Sequence, residues 1–258
     1  MILFDEVSFG HASQLFAGLT LTCGHDIIGI TGPSGAGKTT LLNLIVGGVK
    51  PQRGKVEVCG LLPAQAVREQ KIGLVPQENT LLPNRTVRGN VALPLMIKRG
   101  IFSWRGLPKA DKEQTEWALG AAKIAHAAHL YPFELSAGMA ARAMLARAIV
   151  PHPPLLLMDE GLANLDEVTC EDIYLSLQGI FADTGMSAII VSHRITEVVR
   201  LAKRVLVLRR DELDGLSRIV HEERVPLGWP REASVLQDAL FLQACANVRA
   251  HLGIGGTP

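Results

Sequence analysis

The chain has 258 residues, of which 48% are hydrophobic and 20% charged, so it can form one large or two small globular domains with a sizeable core. The formal net charge of +1 gives no bulk electrostatic argument for a nucleic-acid partner or for an anionic membrane. Apolar runs stay far below the ~18–20 residues that span a bilayer. Because the first residues lack a basic segment and lead at once to Asp5 and Glu6, no signal peptide is expected. The cysteines form no C-x-x-C pair, so free thiols are expected rather than a zinc site or disulfides at Cys23, Cys59, Cys170 and Cys245.

Patterns of apolar residues predict a mixed α/β chain. The strand-like runs lie at residues 2–8, 18–22, 26–30, 54–59, 71–75, 154–158, 187–191 and 204–208. The helix-like runs lie at residues 38–47, 87–97, 109–128, 137–150, 167–182 and 195–201, with an amphipathic tail helix at 233–251. The early strands favour an antiparallel sheet, and the later strand–helix alternation favours a parallel sheet with crossover helices. Residues 79–150 show no strand pattern and are predicted to form a helical insertion, with Phe102 and Trp104 exposed on a loop.

A complete phosphate-binding motif follows the third predicted strand. Residues 32–39 read Gly-Pro-Ser-Gly-Ala-Gly-Lys-Thr, which matches G-x-x-x-x-G-K-[ST], and a predicted helix comes next, as the motif requires. The glycines let successive backbone N–H groups turn toward phosphate oxygens, and the helix start adds partial positive charge. Lys38 can reach the β- and γ-phosphates, and the Thr39 hydroxyl can ligate Mg²⁺. The motif predicts nucleoside triphosphate binding by Gly32, Pro33, Ser34, Gly35, Ala36, Gly37, Lys38, Thr39 and Thr40.

A pair of carboxylates follows the apolar run at residues 155–158. A buried parallel strand that ends in a carboxylate is the usual second half of a phosphate-loop site. Asp159 is therefore predicted to hold Mg²⁺, and Glu160 to polarise an attacking water. A solvated acidic turn is the alternative for this segment taken alone, and the phosphate loop favours the functional interpretation.

Four further motifs appear in a recognisable order. Ser136, in Leu-Ser-Ala-Gly-Met, and the Ala- and Arg-rich helix after it resemble the LSGGQ signature of the ATP-binding-cassette (ABC) ATPases. Gln77, in Val-Pro-Gln-Glu, resembles the Q-loop of that family. Asp166, at the end of Ala-Asn-Leu-Asp, resembles the D-loop, and His193, in Val-Ser-His, resembles the switch histidine. The resemblance covers roughly residues 2–226.

The resemblance implies a P-loop NTPase (RecA-like) α/β core with an N-terminal antiparallel β subdomain and an inserted α-helical subdomain. The ABC ATPase domain is expected at 1–228, its helical subdomain at about 79–150, and a tail helix at 229–258. The implied catalytic residues are Glu160, His193 and Gln77, and the implied Mg²⁺ ligands are Thr39, Gln77 and Asp159. The implied further contacts to ATP are His11, at the adenine-stacking position with Phe9 as a rival, and Ser136, Gly138 and Asp166.

The resemblance also implies partners and a location. Two cassettes are expected to close around two ATPs, since the signature serine of one faces the γ-phosphate held by the other. The resemblance implies a permease in a separate chain. It is compatible with a solute-binding protein as a further partner, and no nucleic-acid partner is expected. The expected location is the cytoplasmic face of the inner membrane, as a peripheral subunit.

Several residues depart from the family pattern. Ala137 replaces a glycine and is expected to narrow backbone freedom, and Gly161 replaces a proline and is expected to loosen its turn. Asn164 and Arg194 are further departures. Because Lys38, Glu160 and His193 are retained, an active ATPase is favoured, and a weakly hydrolysing regulatory subunit is the alternative.

The subfamily signal lies after the Q-loop. Residues 81–87 and 90–95 resemble importer ATPases for nitrate, taurine and sulfonates, and the runner-up is a phospholipid-trafficking cassette. Two other classes of ABC protein are not favoured. A DNA-maintenance ABC protein would need a long coiled coil between Lys38 and Asp159, and the sequence shows none there. An ABC translation factor would need two cassettes, and the sequence shows the motifs of one. The apolar Leu81, Leu82 and Val87 predict a groove for a permease helix, with packing of the insertion as the alternative.

Overall fold

The computed structural model describes residues 1–10, 14–162 and 165–252. The chain divides into two compact units, one formed by residues 1–72 and 187–258 and the other by residues 73–186. We call them unit 1 and unit 2.

Unit 1 contains an antiparallel sheet of three strands. Strand β1 (Ile2–Gly10) lies between β2 (Gln14–Cys23) and β4 (Arg53–Val58) and is antiparallel to both. The close pairing of β4 with β1 depends on Gly54, whose φ is 78°. A Cβ on Gly54 would lie 2.3 Å from the Asp5 carbonyl oxygen, so only glycine allows this approach. The expected early antiparallel sheet is thus confirmed.

Unit 1 also contains parallel strands. Strand β3 (Ile27–Thr31) lies between β7 (Ser187–Val191) and β8 (Arg204–Arg210), parallel to both, and β9 (Ser217–Arg224) pairs antiparallel with β8. Every residue of β3 and β7 is buried, which explains why both appear as continuous apolar runs. The helices of unit 1 are α1 (Lys38–Val46), α2 (Pro63–Arg68), α8 (Ile195–Leu201) and α9 (Ala239–Leu252).

Unit 2 is mostly helical. Its strands β5 (Ile72–Val75) and β6 (Leu155–Asp159) are neighbours in a sheet. Its helices are α3 (Val87–Val91), α4 (Leu93–Arg99), α5 (Lys109–Ala121), α6 (Ala137–Ile149) and α7 (Glu167–Thr184). In the described parts of both units, no helix combines the length and the apolar character that crossing a bilayer requires.

The structure corrects several predicted elements. The helix predicted at 87–97 is interrupted at Ala92, since Pro94 has no N–H to continue the backbone ladder. The helix predicted at 109–128 ends at Ala121, and Lys123 follows with a φ of 53°. Helix α2 and strand β9 were not predicted. Strand β9 has only one partly buried face and many charged residues, so its pattern is weak.

One exposure prediction was half right. Phe102 is 85% exposed, as expected. Trp104 is only partly exposed, because it packs with Ile101 against the buried side chains of Ala92, Met96 and Leu107. Removing the large indole ring of Trp104 from water stabilises this packing.

Candidate functional site

The phosphate loop connects β3 to α1 within unit 1. Gly35 and Gly37 have φ values of 79° and 93°, which side chains rarely adopt. Gly32 has no such φ, but a Cβ there would lie 2.1 Å from the Leu208 carbonyl oxygen. A Cβ on Gly37 would lie 2.8 Å from the ring of Phe16. The three glycines are therefore required by conformation or by close approach.

Lys38 lies over the loop that precedes it. Its Nζ donates hydrogen bonds to the Gly32 carbonyl at 2.8 Å and to the Pro33 carbonyl at 3.1 Å. The first turn of α1 contains no acidic side chain, so no carboxylate of that turn competes for the positive end of the helix. Thr39 is exposed in the same turn. Loop, lysine and helix start together form a site suited to an anion.

His193 lies at the same edge of unit 1 as the phosphate loop. Strands β3 and β7 run parallel with Ile30 opposite Val191, and the Ser192 N–H donates to the Ile30 carbonyl at 3.1 Å. His193 is the next residue and is exposed. The Ser192 hydroxyl donates to the buried Glu197 carboxylate at 2.6 Å, which fixes the turn that leads into α8.

Unit 2 places Gln77 and Glu160 in contact. The Gln77 Nε2 donates to Glu160 Oε2 at 3.4 Å, and Asp159 is the last residue of β6. Glu160 has a φ of 48°, which costs a residue with a side chain about 1–3 kcal/mol. Such strain is concentrated at functional sites.

Gly161 does not loosen its turn, contrary to the prediction. It has no positive φ, and a Cβ there would lie 2.9 Å from Val75 Cγ1. Its role is to let the chain after β6 pass close to the end of β5, which leads directly to Gln77. The glycine thus tightens the packing beside the Gln77–Glu160 contact.

The signature segment begins α6. Ser136 is the N-cap, and its hydroxyl accepts a hydrogen bond from the Met139 N–H at 3.3 Å. Ala137 is exposed and has no positive φ, so its helical backbone accepts a methyl group without strain. Gly138 is buried, and a Cβ there would lie 2.5 Å from Thr169 Cγ2.

Asp166 contacts Thr169, the residue that packs closely against Gly138 of the signature segment. Its carboxylate caps α7 by accepting from the Thr169 N–H at 2.9 Å and from the Thr169 hydroxyl at 2.7 Å. These hydrogen bonds lower the pKa of the Asp166 carboxyl. Sequence reasoning missed Thr169, and the signal that could have found it is the preference for aspartate at an N-cap, whose side chain accepts from the N–H three residues later.

The structure therefore gathers the predicted residues into three groups. Unit 1 brings the phosphate loop and His193 to one edge, and unit 2 contains the Gln77–Glu160 contact and the Ser136–Gly138–Asp166 region. Phe9 is 5% exposed, so its ring cannot stack on a base. His11 and Asn164 lie outside the described residues.

Comparisons with known proteins identify relatives of this chain. A sequence model described as "ABC transporter" matches residues 17–163. The aliphatic sulfonates import ATP-binding protein SsuB of Cupriavidus necator is 33% identical over 244 residues, which cover 90% of this chain and 75% of that protein. The methionine import ATP-binding protein MetN of Thermobifida fusca is 35% identical over 223 residues, which cover 84% of this chain and 65% of that protein.

A solved structure shows the same fold. A dimeric ATP-binding cassette in a post-hydrolysis state, bound to ADP and Pi, has a TM-score of 0.73 and 28% identity to this chain. The match covers 88% of this chain and 100% of the other. The α/β fold is thus that of the P-loop NTPases, with a parallel sheet, an antiparallel sheet and a set of helices. The chain belongs to the ABC transporter family as an ATP-binding cassette, an ATP hydrolase coupled to transport.

Proposed function

We propose that the chain is the ATP-hydrolysing subunit of an ABC importer for a small anion of the sulfonate, taurine or nitrate type. The similarity to a sulfonate import protein supports this solute class. Methionine is the second candidate, because a methionine import protein is 35% identical to the chain. Neither relative is named for phospholipid trafficking, so that alternative is not favoured.

His193 beside the phosphate loop carries the hydrolytic proposal. The Ser192–Ile30 hydrogen bond holds His193 at the edge where the loop begins, so its ring can donate to a γ-phosphate bound there. Lys38 and the backbone N–H groups of the loop bind the β- and γ-phosphates. Glu160 polarises the attacking water, and Gln77 orients the Glu160 carboxylate through its hydrogen bond.

The residues present fit Mg²⁺ as the cofactor of ATP. Thr39, Gln77 and Asp159 offer a hydroxyl, an amide oxygen and a carboxylate, which are the hard oxygen ligands that Mg²⁺ prefers. When bound, the ion neutralises charge on the phosphate oxygens. The chain's own residues hold the nucleotide and orient the water.

The proposal includes partners. Ser136, Gly138 and Asp166 act on the ATP of a second cassette, and the helix start behind Ser136 supplies its N–H groups to the phosphate. A permease in a separate chain, at the cytoplasmic face of the inner membrane, carries the solute, and a solute-binding protein delivers it. The dimeric state of the similar solved cassette supports pairing.

Glu160→Gln tests the hydrolytic assignment. The variant keeps the shape of the side chain and one acceptor oxygen for the Gln77 amide but loses the charge, so ATP binding should persist while steady turnover falls ~10²–10⁴-fold. Glu212→Gln is the matched control, because Glu212 is an exposed carboxylate in the turn between β8 and β9. Turnover at the wild-type rate in Glu160→Gln would reject Glu160 as the water-polarising group.

The solute is tested with permeases. The chain is co-expressed in turn with a sulfonate permease and with a methionine permease, and each complex is reconstituted with its solute-binding protein. Uptake of labelled sulfonate with Lys38-dependent ATP hydrolysis supports the proposal. Uptake of methionine alone would replace the anion assignment by the second candidate.

A further inference from the structure

The connection between α4 and α5 is the most basic short stretch of unit 2. Residues 98–109, which we call the connector, contain four basic side chains and no acidic one. The net charge of +1 for the whole chain hides this local excess. Arg99 is paired with Asp111 through two hydrogen bonds of 2.7 and 2.9 Å, and Lys109 lies 3.6 Å from Glu113. Lys98 and Arg105 add exposed positive charge, and the Lys109 side chain remains 91% exposed.

The connector makes hydrogen bonds and packing contacts with the helices of unit 2. Gly100 ends α4 with a φ of 66°, and the Ile101 N–H then donates to the Met96 carbonyl at 2.9 Å, which turns Ile101 inward. Trp104 packs on the same apolar cluster, with the guanidinium of Arg88 at 5.7 Å from the centre of its ring. The hydrogen bond from Arg99 lowers the pKa of the Asp111 carboxyl, so the Arg99–Asp111 ion pair stays charged at neutral pH.

Two exposed apolar side chains lie on the connector or directly before it. Phe102 is 85% exposed although both Ile101 and Trp104 beside it pack inward, and Ile97 is 70% exposed in the last turn of α4. Exposing these side chains costs solvation free energy that burying them elsewhere would recover. The pattern of isolated apolar side chains flanked by lysine and arginine is that of segments which lie in a membrane interface.

We propose that the connector contacts the anionic surface of a phospholipid bilayer. Phe102 and Ile97 enter the boundary between headgroups and acyl chains, and Lys98, Arg105 and Lys109 bind lipid phosphates. Charge complementarity favours an anionic lipid surface as the partner, because all charged side chains of residues 98–109 are basic. The inference does not depend on the transported solute or on the permease.

Vesicle sedimentation with the full chain tests the inference. Vesicles of phosphatidylcholine alone are compared with vesicles that also contain phosphatidylglycerol. The wild-type chain should bind the anionic vesicles, and binding should weaken with added salt. Phe102→Ser should weaken binding by about tenfold or more, since the buried aromatic surface is lost. Lys98→Glu with Arg105→Glu should weaken it by at least ~20-fold, because each basic residue near an anionic surface contributes roughly fivefold.

Two matched controls distinguish binding by the connector from non-specific adsorption to vesicles. Leu213→Ser removes a side chain that is 97% exposed but stands among acidic residues in unit 1. Lys50→Glu with Arg249→Glu makes the same charge change on exposed positions of unit 1. Both controls should bind vesicles nearly as the wild type does, and all variants should keep the basal ATPase rate. Equal losses in the controls and the connector variants would overturn the inference. So would a wild-type chain that ignores anionic vesicles while Phe102→Ser abolishes co-purification with the permease, since the surface would then belong to a protein partner.

Discussion

At the scale of single residues, the surroundings of each α-carbon decide which positions of the signature motif accept a methyl group. Ala137 is exposed in helical backbone, so a methyl group is tolerated there. One residue later, Gly138 is so close to Thr169 that a methyl group has no room. Thr169 cannot easily move, because Asp166 binds both its N–H and its hydroxyl. Neighbouring positions of one motif thus have opposite tolerances.

Exchanging the two residue types tests this contrast. Gly138→Ala should destabilise the fold by about 1–3 kcal/mol, since Thr169 or the start of α6 must shift. Ala137→Gly should cost at most about 1 kcal/mol, from the lower helix propensity of glycine. We expect Ala137→Gly to keep or raise the ATPase rate. Thermal unfolding and ATPase assays measure both variants, and equal behaviour of the two would contradict the packing argument.

At the scale of elements, single buried polar groups hold the segments that flank the site. The amide of Asn90 is fully buried and holds the loop after Gln77, accepting from the Leu82 N–H at 2.6 Å and donating to the carbonyls of Leu82 and Arg85. At the other end of the chain, the buried guanidinium of Arg231 donates to the carbonyls that end α8. Burial lowers the pKa of Arg231 to about 10, so it remains charged at neutral pH.

Residues of the predicted tail, including Arg231 and helix α9, pack against the rest of unit 1. Helix α9 packs against α8, β8 and β9 within unit 1, and α8 begins two residues after His193. The segment after residue 228 is therefore part of the packing of unit 1 in the described range. The division of the chain into an ATPase domain at 1–228 and a tail at 229–258 stays a prediction.

Only one of the three side chains predicted to line a permease groove is exposed. Leu81 and Val87 are buried and pack the helices of unit 2, as the alternative interpretation held. Leu82 is 37% exposed, and its backbone N–H and carbonyl are hydrogen-bonded to the Asn90 amide. Of the three side chains, only that of Leu82 is accessible to a partner.

Leu82→Glu should therefore fold, hydrolyse ATP and fail to co-purify with the permease. Leu240→Glu on α9 is the matched control, since Leu240 is similarly exposed, and it should retain the permease. Leu81→Glu should unfold or destabilise the protein, because it buries a charge. A permease complex that survives Leu82→Glu would place the docking surface elsewhere.

At the scale of the whole molecule, the family implies that pairing follows nucleotide binding. The signature residues Ser136 and Gly138 serve an ATP held by another cassette in this proposal. We therefore expect a monomer without nucleotide and a dimer when ATP is bound but not hydrolysed. Light scattering of Glu160→Gln with and without ATP measures this.

The double variant Glu160→Gln with Lys38→Ala provides the control, because it lacks the lysine that binds the β- and γ-phosphates. It should stay monomeric at the same ATP concentration. Dimers that form without nucleotide, or a monomer that hydrolyses ATP, would contradict the expectation.

The sequence alone determined the family and the chemistry of this protein. Phosphate binding needs glycines, a lysine and a helix start within one continuous loop. Residues 32–39 therefore predict a phosphate site without any information from distant parts of the chain. The buried strands β3 and β7 are also evident locally, since burial on both faces leaves an unbroken apolar run. The order of the motifs then identified the cassette, because the order is itself a property of the chain.

Only the tertiary structure decided which side chains are packed and which are presented. Leu81 is buried and Leu82 is half exposed, and Trp104 folds inward while Phe102 projects outward, although neither pair differs much in hydrophobicity. The intolerance of Gly138 comes from Thr169, on another helix. Such outcomes depend on groups that are distant in sequence and are brought together by folding, so no local pattern contains them.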